Sequence, residues 1–359
     1  MGIVETIREK MMRLKIEISK SAKKRTVITL MLIFICIVGL SPKISAQQNI
    51  QFTQYVFNTL SVNPAYAGYK EDWYAQAAQR IQWQGIEGSP TTTSVSMDGV
   101  TDEFTKRIGL GLQLTADRFG AESNTSLYAN YAYRIRMNRE DTKRLCFGLA
   151  LGVTQYGLDG TLLEPVDVDD PLLNYEKKFN YIPDARFGVY YYTPKWFLGF
   201  SATDMFSGYD TSNSIFNWNT DSILNIVRRP HYYLISGALI NLSSYTRMRP
   251  SCMIREDFKG PTNLDLSVSF IFDDRFWVGA TYRTPLRFGS KEYEEDNSLS
   301  LNNAVAGILQ FQITENLRIG YSYDLALNSL FNSQNGTHEL TVGWLLPQKR
   351  KRVLSPRFF

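Results

Sequence analysis

Two histidines, His231 and His338, are the first residues to question, because imidazole titrates near neutral pH and ligates metals. Neither stands in a spacing that makes a metal site or a catalytic triad, so a hydrogen-bonded structural histidine is preferred for both. Asp167, Asp169 and Asp170 could meet a calcium ion, but the run lacks the glycine and closing glutamate of an EF-hand loop. A solvated loop is the better reading. The sequence has no glycine-rich phosphate loop and no serine in a nucleophile-elbow context. It therefore offers no catalytic residue, no metal ligands and no cofactor site, and an enzyme is not expected. Of the three cysteines, Cys36 falls in an apolar leader, while Cys146 and Cys252 read as lining separate strands in preference to a disulfide.

The elements around these residues say more. The first 46 residues hold nine Lys or Arg against three Asp or Glu; without them 30 basic face 32 acidic residues, and nucleic acid is excluded as a partner. Basic residues from Lys20 to Arg25 precede an apolar run, Thr26 to Leu40, with a small-residue exit at Ser45 and Ala46. That order makes residues 1–46 a secretory signal peptide. The run is short for a membrane-spanning helix, which needs about 20 residues.

Beyond Gly68 the chain alternates. Leu110, Leu112, Leu114 and Ala116 share one face of a segment whose other face carries Gly109, Gly111, Gln113, Thr115 and Asp117; the pattern recurs through residues 145–154, 264–270 and 317–324. Period two means strands. Fourteen are expected within 73–346, the sixth starting near 184. Long connections follow odd-numbered strands, near 157–183, 204–230, 285–302 and 326–337, and short ones follow even-numbered strands, as at Asp273-Asp274. Sorting of loops by length is the mark of a transmembrane antiparallel up-and-down β-barrel, with short turns and both termini at the periplasm. A soluble sandwich has no reason to sort them. Because hydrocarbon tolerates no open sheet edge, the strands must close with apolar side chains facing lipid. Arg134, Arg136, Asp265, Arg283, Arg318, Asp324, His338 and Glu339 are thus the candidate lumenal polar residues, with aromatics at 13% suiting wet and greasy faces.

Fourteen strands enclose more space than side chains easily fill. The candidate filler is the irregular segment of residues 47–72, where QFTQYVFNTLSVNPAYAG has neither helical nor alternating period yet is too aromatic for a disordered linker. Gln54, Tyr55, Phe57, Asn58, Asn63, Pro64, Tyr66 and Gly68 are its candidate plug or partner contacts. The segment is expected at the periplasmic mouth, with Asn63, Pro64 and Gly68 setting the turn into the first strand. Arg80, Trp83 and Gly85, in RIQWQG, could anchor a plug or partner; an aromatic girdle residue beside a lumenal arginine is preferred. Residues 347–359 form a basic tail.

Four ordered blocks carry a resemblance: QFTQYVFNTLSVNPAYAG; RIQWQGIEGSPTTTSVSMD; PSCMIREDFKGPTNLDLSVSF with WVGATYRT; and YSYDLALNSL with NGTHEL. Together they resemble the PorP/SprF family of Bacteroidetes outer-membrane proteins over nearly all the chain after the leader. The resemblance implies a barrel of the bacterial cell outer membrane associated with type IX secretion. Members support secretion or surface attachment of a secreted adhesin with a C-terminal sorting domain, in some cases for gliding motility, beside other type IX secretion components. Gly88, Ser89 and Pro90 depart mildly from the family, where Ala is common at the middle position. The competing hypothesis is a porin-like passive channel for small solutes.

Overall fold

The computed structural model describes residues 51–102, 104–162, 176–206, 229–258, 261–286, 304–327 and 329–346. The expected signal peptide, the basic tail and the acidic run at Asp167 to Asp170 lie outside these residues. No helix among the described residues is long and apolar enough to cross a membrane, and strands make up the structure.

The strands are β1 (Trp73–Ile81), β2 (Thr91–Val100), β3 (Ile108–Phe119), β4 (Glu122–Arg136), β5 (Arg144–Asp159), β6 (Lys177–Tyr192) and β7 (Trp196–Thr203). Then come β8 (His231–Ala238, resumed at Ile240–Asn241), β9 (Thr246–Glu256), β10 (Thr262–Phe272), β11 (Phe276–Leu286), β12 (Ala304–Gln312), β13 (Leu317–Ala326) and β14 (Thr337–Leu346). Every consecutive pair is antiparallel. The first strand also pairs with the last, from Trp73↔Leu346 to Ile81↔His338, so the sheet closes as a 14-stranded barrel without edges.

Period-two alternation fixes the faces as expected from hydropathy. Leu112 is 53% exposed while Gln113 beside it is 2% exposed. The outer surface is therefore a lipid-facing band of Leu, Val, Phe and Tyr, and the polar side chains line the interior. The strand ends Ile81, Asp159, Thr203, Leu286 and Ala326, from which the longer connections leave, lie at one rim, and the turns 193–195, 273–275 and 313–316 at the other. The exceptions are the tight turn 120–121 and the five residues between Glu256 and Thr262, which put short connections on the long-loop side.

One boundary differs from expectation. β6 starts at Lys177 rather than near 184, because Phe179 and Tyr181 continue the outward row past Pro183. Pro183 opposes Val153 in the ladder, so the proline sits inside a strand whose neighbours are paired on both sides of it.

Candidate functional site

The barrel interior is filled by residues 51–72, which lead into β1. Two short 3-10 turns, Thr59–Ser61 and Pro64–Tyr66, give the segment its only regular structure. Their sequence logic is local. Asn63 caps the second turn, its side-chain oxygen accepting from the Ala65 N–H at 2.9 Å, and Pro64 takes the first helical position where no N–H is needed. An irregular segment in a closed space must satisfy its remaining polar groups on the wall, and it does so at three levels.

Nearest the long-loop rim, Arg80 is a pin. It sits one residue from the end of β1, is 3% exposed, and donates from Nη1 to Glu339 Oε2 at 3.0 Å and to Thr53 Oγ1 at 2.9 Å. Its Nη2 donates to Asp324 Oδ2 at 2.9 Å. Glu339 in turn accepts the backbone N–H groups of Thr53 and Gln54 at 2.8 and 3.0 Å. The Gln54 side-chain oxygen accepts from Gln310 Nε2 and Thr341 Oγ1, both at 2.9 Å. Arg283 forks onto Asp265 at 3.0 and 3.2 Å, with Nη1 3.9 Å from Asp324. With its amide oriented to suit its neighbours, Gln51 accepts from both terminal nitrogens of Arg255 at 3.0 and 3.2 Å. Charges of both signs are thus paired and hydrogen-bonded inside the wall, the condition for burying them.

The middle level is a notch. Gly188 on β6 and Gly199 on β7 lack side chains where Asn63 approaches, and a Cβ on Gly188 would lie 2.1 Å from Asn63 Oδ1. The gap lets the Asn63 amide donate to the carbonyls of Val189 and Phe200 at 3.1 and 3.2 Å. Around it Tyr55, Val56, Leu60, Val62, Tyr66 and Tyr69 pack with Tyr190, Tyr192, Phe197, Tyr233, Ile235 and Cys146 of the wall. Tyr66 and Tyr69 stack at 4.9 Å between centroids, and Tyr190 meets Tyr66 edge-on at 5.6 Å. The Tyr55 hydroxyl donates to Ser251 Oγ at 3.2 Å.

Toward the short-turn rim, Phe57 lies edge-on to Trp277 at 5.2 Å. The guanidiniums of Arg249 and Arg318 sit 4.4 and 4.5 Å from its ring centroid, cation–π distances in a dry site. Asn58 is buried, its carbonyl accepting from the N–H and hydroxyl of Ser61. The exit turn follows. The Gly68 N–H donates to Asp98 Oδ2 at 2.8 Å, and with φ of +76° Gly68 lies where a Cβ would be 3.0 Å from Gly109 Cα. Glu71 pairs with Lys106 before β1 begins.

Several expectations need correction. The segment is not confined to the periplasmic mouth, because Thr53 and Gln54 reach the charged cluster near the opposite rim. Arg80 is an anchor of that segment rather than a bystander beside an aromatic girdle. His338 is not lumenal: it follows Thr337 and precedes Glu339, both buried inside, so the pleat turns it outward, where the Tyr321 hydroxyl lies 2.7 Å from Nδ1. Arg136 ends β4 and is exposed at the rim, whereas Arg134 two residues earlier is fully buried and donates to the Tyr192 hydroxyl at 2.9 Å. Trp83 and Gly85 lie in the connection 82–90, which is laced to 327–336. The Trp83 N–H donates to Thr337 Oγ1, and the Gln84 and Gly336 backbones bond at 2.9 Å. Asp265, Arg283, Arg318, Asp324 and Glu339 do face the interior.

Thr53, Asp98, Arg249, Arg255 and Cys146 belong to this interior without having been singled out as contacts. Asp98 had a legible signal, a lone acid on the polar face of β2. Neither Cys146 nor Cys252 forms a disulfide; the first is buried in the lumen and the second lies on the outer face. No group of three or more His, Cys, Asp or Glu able to hold a metal occurs among the described residues.

A family model described as the type IX secretion system membrane protein PorP/SprF matches residues 44–344. No curated relative matches the chain. Solved structures similar to it include the CymD monoaromatic hydrocarbon channel, at 10% identity and a TM-score of 0.48, covering 86% of this chain and 96% of that one. Others are the Acinetobacter baumannii outer membrane protein Omp33 (8%, 0.44, 77% and 98%) and a Pseudomonas aeruginosa FadL homologue (11%, 0.44, 79% and 92%).

Proposed function

Because the chain belongs to the PorP/SprF family of type IX secretion system membrane proteins, we propose that it supports secretion or surface attachment of a partner adhesin carrying a C-terminal sorting domain. Membership makes it an outer-membrane β-barrel component of that system, acting beside other secretion components. The finer reading, in which the adhesin is held at the cell surface and serves gliding motility, is ours. Its role is non-enzymatic: the barrel holds and positions a protein rather than transforming a substrate.

The observation that carries this reading over a passive solute channel is the filled lumen. Diffusion of small solutes requires a continuous aqueous path. Here Tyr55, Phe57, Tyr66 and Tyr69 of the segment are buried against both the β5–β8 wall and Trp277 of β11. A barrel closed in this way offers partners its long-loop rim.

Crosslinking at the surface of intact cells, followed by affinity capture of the barrel, tests the reading. The expected product is a large secreted protein with a C-terminal sorting domain. Capture of no such protein, together with steady large conductance of the purified barrel in planar bilayers, would favour the solute channel instead.

A further inference from the structure

The cavity that the lumenal segment does not explain opens at the periplasmic rim, where β3 begins and β4 ends. It measures about 510 Å³ between residues 104–107 and 137–143, and its lining joins the buried Arg134 to Phe104, Arg107, Tyr133, Ile135, Arg136 and Asp141. Two kinds of surface meet there. Tyr133 and Ile135 belong to the outward row of β4 and face acyl chains, while Phe104 is 74% exposed on the turn below them. An aromatic at that height marks the headgroup layer.

The charges are distributed unevenly across the cavity. Lys106 is held from inside, its ammonium pairing with Glu71 and its carbonyl accepting from Arg144 Nη1 at 2.7 Å and Arg134 Nη1 at 3.4 Å. Two acids of the rim are engaged too. Asp141 pairs through Oδ2 with Arg144 at 2.6 Å while its Oδ1 makes no hydrogen bond, and Asp102 is held below the usual carboxylate range by the Thr105 hydroxyl and the Phe104 N–H, with a smaller contribution from the Arg107 charge. Arg107 and Arg136 are exposed; Arg107 acts on Asp102 only through its charge, and neither guanidinium donates a hydrogen bond to a described residue. The turn is therefore a fixed platform carrying two available guanidiniums beside an apolar wall. A guanidinium fork suits a phosphate with two parallel bonds, and the apolar wall suits the chains attached to it.

We propose that this cavity binds one anionic phospholipid of the periplasmic leaflet, its phosphate between Arg107 and Arg136 and its acyl chains along Tyr133 and Ile135. A free phosphate would use the guanidiniums and leave the wall unused.

Native mass spectrometry of the full-length barrel, released from micelles doped with phosphatidylglycerol or phosphatidylcholine, tests the site. The wild type is expected to keep one phosphatidylglycerol under activation that strips phosphatidylcholine. The double variant Arg107→Ala with Arg136→Ala is expected to lose that adduct at least about tenfold, a change of about 1.4 kcal/mol. Arg118→Ala, exposed at the opposite rim, should keep it. Equal retention by wild type and double variant, equal retention of the two lipids, or full displacement by millimolar inorganic phosphate would each overturn the assignment. Should the double variant lose its heat-modifiable folded band, Arg107→Lys against Arg107→Gln separates the cases, since only the former keeps a cation.

Discussion

Gly148 on β5 is the position at which the fit of the lumenal segment can be tested by one methyl group. A Cβ built there would lie 2.1 Å from the Ala65 backbone nitrogen and 2.4 Å from Ala65 Cα, and all three of its nearest atoms belong to the segment rather than to the barrel wall. To restore ordinary contact at 3.4 Å, backbone must retreat by about 1.3 Å. Overpacking of this kind costs about 1–3 kcal/mol. The methyl clashes only while the segment is seated, so the cost falls on the seated state and raises the displaced population by about 5- to 150-fold. Cys146, two residues away on the same inward face and 1% exposed, is a natural reporter. In a Cys252→Ser background, a water-soluble maleimide should label Cys146 faster in Gly148→Ala by that factor. Gly307→Ala, where a Cβ meets nothing within 4 Å, should match the parent. Equal labelling of the two variants would refute a segment that is seated tightly on β5.

Removing the Arg80 side chain leaves Glu339 and Asp324 buried without their main cation, a loss of about 3–5 kcal/mol. Arg80→Ala should therefore unfold at clearly lower temperature in a heat-modifiable gel shift, and an unchanged transition would mean the cluster is hydrated. Phe57→Ala removes the ring shared by Trp277, Arg249 and Arg318 and should cost about 3–5 kcal/mol. A ligand-free denaturation midpoint equal to wild type would contradict that packing. Deleting residues 50–66 should leave the barrel foldable and raise its single-channel conductance in planar bilayers; if conductance and partner capture both stayed the same, the segment would be only a leader to the barrel.

The strands were legible because lipid and lumen impose opposite chemistry on neighbouring residues, and period two reports that directly. β6 starts earlier than its expected bound because Phe179 and Tyr181 carry the outward row past Pro183. His338 was misassigned by charge type, although Glu339 beside it already claimed the inward face. The interior contacts were less legible for a different reason. Arg80 meets Asp324 and Glu339 across 244 and 259 residues of sequence, and Asn63 finds its carbonyls only because Gly188 and Gly199 are bare in two later strands. No periodicity encodes such complementarity; it becomes visible only when the sheet closes.

Closure also couples the rim to the lumen over a short distance. Trp83 bonds Thr337, and Glu339 two residues on holds Thr53, Gln54 and Arg80. A partner that grips the connections 82–90 and 327–336 thus acts beside the pin of the segment. If the segment has a seated and a displaced state, linkage requires reciprocity. A partner that speeds Cys146 labelling by some factor must bind Gly148→Ala more tightly, and one that slows labelling must bind it more weakly. Inverting a displaced fraction from about 1% to about 99% would need a preference of about 10⁴-fold, or about 5.5 kcal/mol. Labelling rates with and without a captured partner, compared with the partner's affinity for wild type and Gly148→Ala, measure the coupling from both sides. Changes of opposite sign would refute the two-state segment, because no single equilibrium could produce both.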